Sequence, residues 1–94
     1  MARLLIEMPY IKYIRSIDSA TQKNTEEIRM LYLYEDRLVT KHREFAIDSI
    51  HDLSYRSLGK NGGLLYIHTD KGVFSYILKS SPENLIQIFK DLKR

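Results

Sequence analysis

The chain has 94 residues, with fifteen Lys and Arg against twelve Asp and Glu, for a formal net charge of +3. That length holds one domain with one core, and 44% apolar with 29% charged residues is the make-up of a globular chain, not a disordered one. There is no cysteine, which excludes disulfides and thiolate chemistry, and no run nears the roughly 20 apolar residues that span a bilayer.

Residues 1–17 carry two competing signals. Leu4-Leu5-Ile6 opens like a strand, and Pro9 would break that strand or place it on a sheet edge. Tyr10, Tyr13, Ile14 and Ile17 fall at helical spacing. With Ile11 they are also β-branched or aromatic, which is strand composition. A strand is preferred, because the sheet downstream needs partners. The apolar run before Glu7 is too short for a signal peptide, and no cleavage pattern follows it. Residues 18–27 have almost no apolar side chains and read as an exposed, mobile loop.

Ile28–Tyr34 reads as a strand, Glu35-Asp36 as a two-residue turn, and Arg37–Lys41 as the returning strand. His42-Arg43 breaks the pattern before a short strand at Glu44–Ile47. Ile47, Ile50 and Leu53 step by three, which predicts a helical turn or a bend at Asp48-Ser49. A further strand then runs through Leu53–Ser57 and fades near Leu58. Gly59-Lys60-Asn61-Gly62-Gly63 is a loop. Leu64–Thr69 and Val73–Leu78 flank a tight turn at Asp70-Lys71-Gly72, where Gly72 suits a left-handed position. From about Pro82 to Leu92 the chain predicts an amphipathic helix with an apolar stripe of Leu85, Ile86, Ile88, Phe89 and Leu92. Either Ser80, with Glu83 three residues on, or Ser81, with Pro82 in the first turn, offers an N-cap. Lys90, Lys93 and Arg94 suit the negative end of the helix dipole.

Few residues point to catalysis or metal binding. His42, His51 and His68 lie on different elements without a metal-ligand spacing, and His68 is expected in solvent at a hairpin end. No serine has a nucleophile-elbow context. Glu26-Glu27 and Glu35-Asp36 fall in loop or turn signals, and Gly59, Gly62 and Gly63 match no phosphate-binding loop. The chain is therefore expected not to be an enzyme, and to use no cofactor and no metal. Its basic residues are scattered among acidic ones, which disfavours nucleic acid as a partner.

About seven strands followed by one helix make an α+β chain, mainly antiparallel β. That order resembles the pleckstrin-homology fold, a partly open barrel closed by a C-terminal helix. Three stretches are similar to small bacterial members of that superfamily. Leu31-Tyr-Leu-Tyr-Glu-Asp-Arg-Leu-Val39 looks like their strand–turn–strand, and Phe45-Ala-Ile-Asp-Ser-Ile-His-Asp-Leu53 like their bent strand. Leu64-Leu-Tyr-Ile-His-Thr-Asp-Lys-Gly-Val-Phe-Ser-Tyr76 with Ser81-Pro-Glu-Asn-Leu85 looks like their closing hairpin and helix start. The resemblance covers residues 28–94 and implies a single domain over 1–94 with a cytoplasmic, non-enzymatic role. Lipid-binding members carry a Lys and then a basic-x-Arg pair on the first two strands. Here Lys12, Arg15 and Lys23 precede Glu26-Glu27, and Arg29 stands alone, so that pattern is not met.

Two surfaces remain as candidates. On Ile28–Tyr34, Ile28, Met30, Tyr32 and Tyr34 share one face while Leu31 and Leu33 share the other, so both faces are apolar or amphipathic. Tyr32, Leu33 and Tyr34 are the candidate contacts for a protein partner or a second copy of the chain. The competing expectation is that residues 1–17 cover that strand. Lys41, His42 and Arg43 form the densest basic spot and are the candidate contact for an anionic lipid surface, at about 1 kcal/mol per basic residue.

Overall fold

Alternation of apolar side chains lays out a single antiparallel sheet. The computed structural model describes residues 3–17, 22–59 and 62–93. Its strands are β1 (Leu4–Ile17), β2 (Gln22–Tyr34), β3 (Arg37–Val39), β4 (Glu44–Ala46), β5 (Ile50–Ser57), β6 (Gly63–Thr69) and β7 (Gly72–Leu78). A 3-10 turn at Ile47–Ser49 bends β4 into β5, and α1 (Glu83–Leu92) ends the fold. The sheet order is β4-β3-β2-β1-β7-β6-β5. The sheet does not close, since β4 and β5 are its two ends. Mainly antiparallel strands with one C-terminal helix make this an α+β fold, as the sequence predicts.

Residues 1–17 resolve as strand where described. Helical spacing loses because β1 pairs with β2 along nearly its whole length, from Leu4 opposite Tyr34 to Ile17 opposite Gln22. The expected loop at 18–27 is corrected. Residues 18–21 lie outside the described residues, but Gln22–Glu27 are strand. All six residues there are polar, so the hydrophobic pattern that marks a strand is missing. The molecule measures 53 × 30 × 24 Å with a radius of gyration of 14.7 Å. A compact domain of this length has a radius of about 12 Å, and the excess comes from the long β1–β2 hairpin, which projects as an arm.

The inner face of each strand builds the core. Met8 and Tyr10 of β1, Leu31 and Leu33 of β2, Leu38 of β3 and Phe45 of β4 meet Leu53, Leu65, Ile67 and Leu78 of the other half. Two aromatic contacts join the halves, Tyr10 edge-on to Tyr76 at 5.0 Å and Phe45 against Phe74 at 5.1 Å between ring centroids. Gly72 takes φ +128° at the β6–β7 turn, as expected. Gly62 has φ +132°, and a Cβ there would run into the carbonyl of Leu78, so only glycine lets the chain enter β6 at that point. Lys60 and Asn61 of the same predicted loop lie outside the described residues.

Helix α1 begins one residue later than a Ser81 cap implies and two later than a Ser80 cap implies. Pro82 is the capping residue, with no side-chain cap hydrogen bond, so neither Ser80 nor Ser81 caps the helix. The carbonyl of Pro82 instead accepts from Ile86 N at 2.9 Å, and the Pro82 ring is fully buried. Arg94 lies outside the described residues. Lys93 Nζ donates to the carbonyl of Ile47 at 3.3 Å and ties the helix end to the 3-10 turn. Leu85 and Phe89 are in the core, with Ile86, Ile88 and Leu92 packed against it. A helix of ten residues is marginal alone in water and persists through that packing. Because the Phe89 ring is 2% exposed, Phe89→Ala is expected to cost about 3–5 kcal/mol in urea unfolding. A loss below about 1 kcal/mol would mean the stripe is not what anchors the helix.

Candidate functional site

The two strands of the arm change character at the same level. On the inner face of β1 the order is Ile6, Met8, Tyr10, Lys12; on β2 it is Leu33, Leu31, Arg29, Glu27. Tyr10 pairs with Arg29 and Lys12 with Glu27. The inner face therefore turns from apolar to charged at the mouth of the barrel, and beyond that point the hairpin leaves the core.

Two adjacent carboxylates brace the root of the arm on opposite faces. Glu26 Oε2 accepts from Lys79 Nζ at 3.3 Å. Glu27 accepts from Arg29 through both carboxylate oxygens, each at 3.2 Å, and from Lys41 Nζ at 2.8 Å. These acids were expected in a solvated loop. Instead they tie β2 to the end of β7 and to the β3–β4 turn. The Arg29 guanidinium, with Lys41 beside it, holds the Glu27 carboxyl down from its ordinary 4.5 to about 2. Glu27 in turn raises Arg29 above its ordinary value.

The β3–β4 turn carries Lys41, His42 and Arg43, all exposed, as the sequence predicts. Thr40 fixes its shape, since its N–H donates to the carbonyl of Arg43 at 2.8 Å. Lys41 N donates to the Tyr10 hydroxyl at 3.2 Å, and the Thr40 and Tyr76 hydroxyls lie 3.4 Å apart. Burial pushes the Tyr76 phenol up. The three basic side chains are unequal. Lys41 is held by Glu27, and the Arg43 guanidinium stacks 4.5 Å above the Phe74 ring. His42 makes no ion pair among the described residues.

Beside this turn lies a cleft of about 490 Å³, lined by Tyr10–Tyr13, Arg29, Thr40, His42, Arg43, Leu64 and Ser75–Ile77. Nothing in the sequence announces it, because it gathers residues from β1, β2, the β3–β4 turn, β6 and β7. The other candidate strand is placed unevenly. Leu33 is fully buried in the core and cannot touch a partner, because it sits on the inner face with Leu31. Tyr32 and Tyr34 are half-buried on the outer face, and the Arg37 guanidinium stacks 4.7 Å from the Tyr34 ring. β1 lies beside β2 and does not cover that face, so Ile28 stays 67% exposed and Tyr13 51%.

His68 is half-buried and not at a solvated tip, with its Nε2 2.7 Å from Ser54 Oγ. This Ser–His contact stands on the outer face of the β5–β6 pair. His51 Nε2 lies 2.7 Å from Asp70 Oδ1 in an exposed pair. Among the described residues no three His, Cys, Asp or Glu side chains come together as metal ligands, and no helix is long and apolar enough to cross a membrane. Compared with known proteins, the chain matches no family model, no curated protein and no solved structure.

The depressed Glu27 carboxyl makes the brace pH-dependent. A group whose folded pKa lies below its unfolded value stabilises the fold above the unfolded value and loses that effect as pH falls through the folded one. Wild type should therefore be more stable than Glu27→Gln at about pH 6. The difference should shrink below 4.5 and vanish near 2. Urea unfolding of both proteins across that range checks it. A difference independent of pH would show that the charge of Glu27 is not what braces the arm.

Proposed function

We propose that this chain is a non-enzymatic binding module of the pleckstrin-homology-like kind, acting in the cytoplasm through association with a protein partner or a second copy of itself. Support for the fold kinship comes from four antiparallel strands followed by three, with one C-terminal helix packed into the core. The absence of cysteine accords with a reducing compartment. The observation that carries the binding role is the arm. Among the described residues, beyond Tyr32 opposite Val39 the outer edge of β2 has no strand partner, and beyond Ile11 neither has the outer edge of β1. Ile28 and Tyr13 stand exposed on it. Unpaired strand edges with apolar and aromatic side chains are templates for another chain. Tyr32 and Tyr34, on the same outer face, extend this surface toward the barrel.

Ile28 is the residue to test, because its side chain is mostly in solvent and its loss leaves the core intact. Light scattering over a wide concentration range should show association that Ile28→Asp weakens at least about tenfold, with thermal stability unchanged. A strict monomer at the highest concentration reached removes the self-association half of the proposal.

Recognition of an anionic lipid surface is the second reading, and one observation favours it: Lys41, His42 and Arg43 project together from one turn. Its weakness is that Lys41 is already neutralised by Glu27. If it holds, co-sedimentation with phosphatidylserine vesicles at low salt should fall as salt rises and weaken in Lys41→Glu. No binding at low salt removes this reading.

A further inference from the structure

Where β1 parts from β7, two strand edges face each other across open space. Their ladder has one position, Ile11 opposite Ile77. Antiparallel continuation would bring Tyr13 against Ser75, yet no pairing forms there. From Lys12 onward in β1, and from Gly72 to Tyr76 in β7, the facing edges have no ladder partner among the described residues. The cleft of about 490 Å³ lies between them. Tyr10, Thr40 and Tyr76 form its inner wall, and Lys12, His42 and Arg43 stand exposed around it. Among the described residues no carboxylate lines it; of the two acids in the arm's root, Glu26 is paired with Lys79 and Glu27 with Arg29 and Lys41.

We infer that this seam accepts an extended, acidic segment of a partner polypeptide, which adds as a strand along β7 with its carboxylates toward Lys12, His42 and Arg43. The inference rests on the reading of the chain as a protein-interaction module and names the chemistry of the partner. Two separate observations carry it. A row of free backbone donors and acceptors is matched by another strand, and neither a lipid headgroup nor a free phosphate can match it. The basic side chains around the cleft set the sign of the partner's charge and draw it in. Tyr10, Tyr13 and Tyr76 supply rigid amphipathic surface for the side chains between the acids.

The probe is a capped hexapeptide alternating glutamate and valine, with a lysine-for-glutamate counterpart as control. The acidic peptide should bind at low salt, slow amide exchange at Val73–Tyr76, and bind about tenfold more weakly to the Lys12→Glu, His42→Glu double variant. Both substituted side chains are exposed, so the variant should fold; its unchanged melting curve serves as the control. Equal binding of the lysine peptide, absence of binding up to about 1 mM, or binding without protection of the β7 amides would each overturn the inference. So would phosphatidylserine vesicles or inorganic phosphate displacing the acidic peptide at matched ionic strength. If the acidic peptide fails while the chain still associates through Ile28, the seam assignment falls and the interaction reading stands. If neither occurs, the seam assignment and the self-association half of that reading both fall.

Discussion

Among the described residues one ladder position, Ile11 opposite Ile77, stitches the two halves of the sheet backbone to backbone. The first half runs β4-β3-β2-β1 and the second β7-β6-β5. A pair of strands this thinly bonded does not hold two half-sheets together. Side-chain packing does, through Tyr10 on Tyr76, Phe45 on Phe74, and the fully buried Leu31, Leu65 and Phe89. Ile11 is on the outer face, yet it is buried, flanked in register by Ile28 and Ile77. The junction is thus sealed at one level by Ile11 beside Ile77 on the outer face and by Tyr10 against Tyr76 on the inner one. Past that level nothing obliges β1 to follow β7, and it does not.

The divergence gives the molecule its arm and its cleft together. A two-stranded hairpin without a core is marginal in water. This one begins where its inner face trades leucine for Arg29 and Glu27. Glu26 and Glu27 then do work that apolar packing does elsewhere. As neighbours on a strand they point to opposite faces. One reaches Lys79 at the end of β7 and the other Arg29 and Lys41, so the arm is held from both sides. These pairs are partly exposed, and salt screens exposed pairs, so the brace orients the arm more than it stabilises the fold.

What the sequence made legible follows from what alternation can encode. The β6–β7 hairpin, the turn at Glu35-Asp36, the bend at Asp48-Ser49 and the stripe of α1 each rest on local periodicity or turn chemistry, and each is present. The sequence places Leu31 and Leu33 on one face, but which face is inner depends on Leu38 and Phe45 across the sheet, so Leu33, a candidate contact with Tyr32 and Tyr34 by sequence, lies in the core. Gln22–Glu27 read as loop because strand signals are signals of apolar alternation, and all six residues are polar. Neither Ser80 nor Ser81 caps the helix because the core claims Pro82, which becomes the cap and moves the helix start one residue past that of a Ser81 cap. Nothing local could reveal the cleft, whose walls lie far apart in the chain.

Edge strands invite indiscriminate pairing, and proteins guard them with charge. Along this arm the guard is mixed in sign. Glu26 and Glu27 face Tyr13 and Lys12 across the hairpin, and lysine and arginine partners answer both acids. Mixed charge discourages pairing without selecting a partner. Around the seam the arrangement differs. Lys12, His42 and Arg43 come from β1 and from the β3–β4 turn, which Thr40 and the Tyr10 hydroxyl hold in place, and no acid joins them in the cleft lining. Charge of one sign on a preformed scaffold repels like-charged chains and favours opposite ones, so it discriminates where mixed charge only deters. The same divergence that leaves β1 and β7 unpaired therefore leaves the gap beneath a basic rim, and selectivity at this edge comes from where the turn is docked.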